Sequence, residues 1–152
     1  MDGRPLLMLL HVSGVVVWVG EMFFAHACLR PVAASLLEPP ARLQLWGGIF
    51  ARFFLWAGAS IAAIVASGAA MLAAAGGAVP PAWWAMSATG LLMVVVFVRI
   101  VTGPYAALRA AVDAADWKRG VTALGSIRQL VGLNLTLGLL TIVVATAGRW
   151  LG

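Results

Sequence analysis

Two histidines, His11 and His26, share one long apolar run with a single carboxylate, Glu21, and these are the residues from which chemistry can be built. The run, Leu6 to Leu29, spans about 36 Å as a helix, against roughly 30 Å of bilayer hydrocarbon. Ionisable groups in hydrocarbon cost a few kcal/mol each, so His11, Glu21 and His26 on one span mark a functional site. With His11 at zero and 100° per residue, Gly14, Val15, Trp18, Met22, Ala25, His26 and Leu29 fall within about 60° of it. That stripe is expected to face the bundle, with Glu21 at its edge about 80° away. The histidines lie about 22 Å apart along the axis, so they form two stations and not one metal site.

The first station joins Met8 and His11 to Met71, at the end of the second apolar run, and Met86, at the start of the third. Thioether and imidazole together select Cu(I) over harder cations. The plainer reading is that the methionines fill gaps in a helical core and the histidines hydrogen-bond between helices. The second station pairs Met22 with His26, four residues apart on one face. Arg52, Arg99 and Arg128 reach this level if they bend inward, where they can form an anion-binding ring for carboxylates such as haem propionates. Otherwise they snorkel to the membrane boundary. The haem b alternative therefore groups His11, His26, Arg52, Arg99 and Arg128. A Glu21–Arg52 ion pair would neutralise the buried acid. Asn134, Thr136 and Thr141 in the last run are expected to hydrogen-bond between helices.

The elements that position these groups follow from composition. With 152 residues, 63% hydrophobic and 10% charged, and mean hydropathy +1.02, the chain reads as an integral membrane protein. Apolar runs at about 6–29, 43–75, 83–111 and 127–150 predict an all-α four-helix bundle, one transmembrane domain over 1–152. Pro31 and Pro39-Pro40 bracket the first connection, Gly76 to Pro81 forms the second, and Asp113, Asp116, Lys118 and Arg119 mark the third. Ala25-His26-Ala27 mimics a signal-peptidase site. With only Arg4 before the apolar stretch and Glu21 within it, the first span is expected to be retained.

Arg30, Arg42, Arg52, Arg99, Arg109, Lys118, Arg119 and Arg128 crowd the first and third connections and their flanks, whereas Arg4 and Arg149 stand on the other side. The positive-inside rule then predicts an up-down-up-down bundle in the bacterial inner membrane with both termini periplasmic. The net charge of +5 is a topology signal. Nothing resembles a nucleic-acid surface, and the basic rim suits anionic lipid. Cys28 stands alone, so no internal disulfide forms. No nucleophile-base-acid triad, phosphate loop or carboxylate dyad is visible, which argues against hydrolysis.

Leu10-His11-Val-Ser-Gly-Val-Val-Val-Trp18-Val-Gly-Glu21-Met22-Phe-Phe, then Leu29-Arg30-Pro31, Arg52-Phe53-Phe54 and Arg128-Gln-Leu-Val-Gly-Leu-Asn134, resembles the copper-resistance protein D (CopD) family of membrane proteins. The resemblance implies copper uptake or tolerance, with Glu21 standing where such sequences have glycine. The pattern Leu10-His11, Trp18, Arg128 and Asn134 is also similar to the four-helix, haem-containing protoporphyrinogen oxidases. Leu135 and Thr136 stand where that family has an acidic residue and a proline. Copper handling is the leading expectation, with a periplasmic copper carrier as its partner. Haem b binding is the alternative. An accessory role within a homo-oligomer or larger membrane complex is the third.

Overall fold

Proline opens the helices of this chain and also disturbs them from within. The computed structural model describes residues 3–76 and 79–147, which form six α-helices and two π-helical turns, with no strand among the described residues. Pro5, Pro39 and Pro81 stand in the first turns of α1 (Arg4–Phe23), α3 (Pro39–Ala74) and α4 (Pro81–Ile100), where a missing N–H costs nothing. Pro31 stands inside an apolar stretch, where it can donate no hydrogen bond and its ring clashes with the carbonyl of Ala27. The backbone answers with a π-helical turn over Phe24–Leu29 and then continues as α2 (Arg30–Leu36). Pro104 sits in a second π turn, Val101–Tyr105, which leads from α4 into α5 (Ala106–Asp113). The first span thus does not stop at Leu29, because widening the turn costs less in hydrocarbon than leaving backbone groups unpaired.

The last helix, α6 (Trp117–Ala147), begins ten residues before the expected 127, and the expected end at Trp150 lies outside the described residues. Asp116 explains the early start. Its Oδ1 accepts the Arg119 backbone N–H at 3.0 Å, which caps the helix. The connection shrinks to Ala114, Ala115 and Asp116, with Ala115 at φ 53°.

Four continuous helical stretches, Arg4–Leu36, Pro39–Ala74, Pro81–Asp113 and Trp117–Ala147, are long and apolar enough to cross a membrane. The chain is a multi-pass helical membrane protein. Only 22% of each stretch's most apolar window is buried within the protein, which leaves the rest for lipid or a neighbouring protein to cover.

The helices associate as two close pairs, α1 with α3 and α4 with α6. Arg4 meets the Ala74 carbonyl, His11 meets Ser67, and Gly14 packs against Ser60 and Ile64. In the second pair Thr89 meets Thr141, and Met93 packs on Gly138. The pairs join through Trp18 on Phe97, Val19 on Gly138, Phe54 on Phe97 and Tyr105, and Leu43 on Gly120. Lipid tails are as apolar as leucine, so close approach at small residues holds these seams together. The completely buried Leu43, Leu108, Leu124 and Ile127 gather where α5 and the starts of α3 and α6 meet.

A Cβ at Gly14 would stand 2.8 Å from Ile64 Cγ1 and 3.0 Å from the Ser60 carbonyl, and that backbone oxygen cannot move aside. Gly14→Ala is therefore expected to cost about 1–3 kcal/mol. Gly20→Ala, with nothing near its Cβ position, should be neutral or gain up to about 1 kcal/mol. Thermal unfolding in detergent, followed by circular dichroism, checks this. Equal midpoints for the two variants would show that the α1–α3 seam does not depend on close approach.

Candidate functional site

The single stripe expected on the first span divides between two neighbours. Gly14, Trp18, Met22 and Ala25 are buried, while His11, Val15, His26 and Leu29 are half-buried. His11 and Gly14 face α3, whereas Val19 and His26 face α6, where the His26 ring lies against Gly132. The two histidines thus serve different interfaces.

His11 Nδ1 lies 3.1 Å from the Ile64 carbonyl oxygen and 3.1 Å from Ser67 Oγ. A carbonyl can only accept, so Nδ1 carries the proton. The Ser67 hydroxyl donates to the Ala63 carbonyl, which leaves its lone pairs facing the ring. Gly68 leaves room for the imidazole, whose Cε1 stands 3.3 Å from where a Cβ would be. The neutral ring then presents an Nε2 lone pair that makes no hydrogen bond among the described residues. Fixing one nitrogen by a backbone carbonyl while the other stays free is how proteins hold a metal-binding histidine.

The contacts of Arg4 with Ala74, His11 with Ser67 and Gly14 with Ile64 set one register along the α1–α3 seam, and that register puts Met71 level with Met8 to within one residue. Met8 itself is 52% exposed and Met71 half-buried. Met86 lies on α4, which pairs with α6, so it stands across the bundle from the other three. Among the described residues, no three His, Cys, Asp or Glu side chains cluster as a metal site. The deeply buried methionines are Met22, at 1% exposed, and Met93, at 3%. Sequence reasoning passed over Met93, which packs on Gly138.

At the second station His26 is not joined by Arg52 or Arg99, which are both exposed. It lines a cleft with Arg30, Trp46 and Arg128. Arg30 and Arg42 are the charged neighbours of Arg128. The expected arginine ring is thus composed differently, because Arg52 and Arg99 sit on outward faces of α3 and α4 while the π turn carries Arg30 toward α6. Arg42 and Trp46, four residues apart at the start of α3, were legible as one helix face. The Glu21–Arg52 pair is not formed either: Arg52 is exposed and Glu21 Oε1 is buried without a partner.

No family model, curated protein or solved structure matches this chain. Its own geometry must therefore carry the functional reading. Of the polar residues expected between helices, Thr141 does reach Thr89, at 2.8 Å. Thr136 is exposed and turns back to the Gly132 carbonyl of its own helix. Asn134 is 1% exposed, and its Oδ1 is without a partner. Trp18, at 4% exposed, stands edge-on to Phe97 and closes the centre of the bundle. Cys28 is exposed.

With no ion pair to break, Glu21→Gln is expected to keep or raise the thermal midpoint in detergent. Arg52→Gln should stay within about 0.5 kcal/mol of the parent protein. The double variant should equal the sum of the two. A coupling of 0.5 kcal/mol or more between them, roughly the lower limit for residues in contact, would restore the ion pair.

Proposed function

We propose that this chain handles Cu(I) in the bacterial inner membrane, as an up-down-up-down four-helix bundle with both termini periplasmic. The observation that carries the reading is His11, a neutral imidazole braced at Nδ1 and open at Nε2, with Met71 and Met8 on the helix faces one turn nearer the same end of the bundle. An imidazole nitrogen with one or two thioethers is a soft, neutral donor set that suits Cu(I). Copper is cargo here, and the site lies at the end away from most of the basic residues. Those residues, Arg30, Arg42, Arg109, Lys118 and Arg119, support the cytoplasmic placement of the opposite end. Met22 and His26 lie about 16 and 22 Å deeper along the same span and supply a second station on a route inward.

The purified protein is expected to compete for Cu(I) with a chromogenic chelator. His11→Ala should weaken binding most. Ser67→Ala, which removes part of the brace and no ligand, should weaken it about tenfold. Met71→Leu should weaken it less than His11→Ala without unfolding the bundle. Unchanged affinity in His11→Ala would overturn the assignment. A stoichiometric Soret band in the parent protein would replace it with haem b binding.

Orientation has its own test. In a Cys28→Ala background, Gly3→Cys should react with an impermeant maleimide from the periplasm and Ala114→Cys should not. Labelling of the Ala114→Cys variant alone would reverse the topology and place the metal end in the cytoplasm.

A further inference from the structure

At the opposite end from His11, three arginines converge without an acid among them. Arg30 and Arg128 line a cleft between the first π turn, the start of α3 and α6, and Arg42 is the other charge acting on Arg128. His26 and Trp46 also line it, and its surface is almost entirely apolar, with Phe50, Ile127 and Val131 contributing. None of the lining residues is acidic. Like charges held this close repel, and an Arg fork in a partly dry site needs acceptors.

The donors confirm what is missing. Arg128 Nε, Arg42 Nε and Trp46 Nε1 are all buried without a hydrogen-bond partner, and Trp46 is only 3% exposed. Buried donors are almost always paired. Two of these donors, on Arg128 and Trp46, belong to residues that line the cleft, Arg42 is a charged neighbour of Arg128, and the protein itself supplies no acceptor to any of the three. The sequence shows how the cleft is made. Pro31 forces the π turn, which carries His26 against Gly132 and brings Arg30 to the cleft. Arg42 and Trp46 share one face of α3 at i and i+4.

We propose that the guanidinium groups of Arg30, Arg42 and Arg128, at the rim of this cleft, bind a phosphate group. Guanidinium forks match phosphate oxygens, and a phosphomonoester carrying about −1.5 to −2 offsets three positive charges better than a single carboxylate. The indole N–H supplies a further donor. The cleft lies near the ends of the membrane-crossing stretches, at the level where lipid headgroups stand, so the phosphate belongs either to an anionic lipid or to free phosphate. The site shares His26 with the second station of the metal reading, but none of its arginines nor Trp46 takes part in that reading, and His11 lies about 22 Å from His26 along the first span.

Lipid retention by native mass spectrometry, from phosphatidylcholine nanodiscs with and without phosphatidic acid, tests the lipid arm. Calorimetric titration with inorganic phosphate in a neutral detergent tests the other. The parent protein should retain phosphatidic acid selectively or bind inorganic phosphate, and which arm responds identifies the source. Arg30→Gln, which removes an exposed side chain and leaves the core intact, should weaken the responding arm about tenfold, and Arg128→Gln at least as much. Trp46→Phe, which keeps the ring packing and removes only the N–H, should weaken it about fivefold. Arg109→Gln, an exposed charge on α5, should have no effect. Failure of both arms would overturn the proposal, as would equal losses in Arg109→Gln and Arg30→Gln, which would reveal only a general basic surface.

Discussion

In hydrocarbon no water is at hand to satisfy a freed carbonyl or N–H, and this one constraint shapes the protein more than any side-chain contact. It explains why Pro31 and Pro104 do not end their helices. Each is accommodated by a π-helical turn, which precedes Pro31 and contains Pro104, keeps the chain hydrogen-bonded and changes the direction in which the following residues point. Because of that change, Arg30 reaches the cleft beside α6, and Tyr105 packs at 4.8 Å from Phe54 in the aromatic centre. A plain helix through either proline would have lost these contacts.

The second consequence of the lipid environment is that apolarity alone cannot hold helices together. The seams rely on glycine, serine and alanine, which let backbones approach, and on a few polar contacts that the backbone itself completes. His11 illustrates this. Its ring fits over Gly68 and is held by a carbonyl and a serine hydroxyl of the same helix. The group that fixes the helix pair also sets the histidine's tautomer, so structural and chemical roles coincide in one residue.

The four apolar runs, their number and their approximate limits were legible in the sequence, because composition and length suffice to recognise a span. The inward stripe of the first span was legible too, since helical periodicity places Gly14, Trp18, Met22 and Ala25 together. Its division between two neighbours was not, because a helical wheel gives angles and no partners. The same limit applied to Arg52 and Arg128, which look alike along the chain and end on an outward face and in a cleft. Trp117 to Ser126 read as a loop because charge obscured the cap at Asp116. The orphaned donors of Arg42, Arg128 and Trp46 become visible only once α3 and α6 are assembled.

Four completely buried residues from three helices, Leu43, Leu108, Leu124 and Ile127, gather at one end, while at the other end the contacts Arg4–Ala74, His11–Ser67 and Thr89–Thr141 lie within each helix pair. In outline this is a clothes-peg. Each leg is a helix of about 45 Å, so a tilt of about 5° at the sprung end carries the free tip about 4 Å. His11, Ser67 and Met71 stand on one leg, whereas Met86 stands on the other. The distance from Met86 to the imidazole is then a gauge of how far the peg stands open.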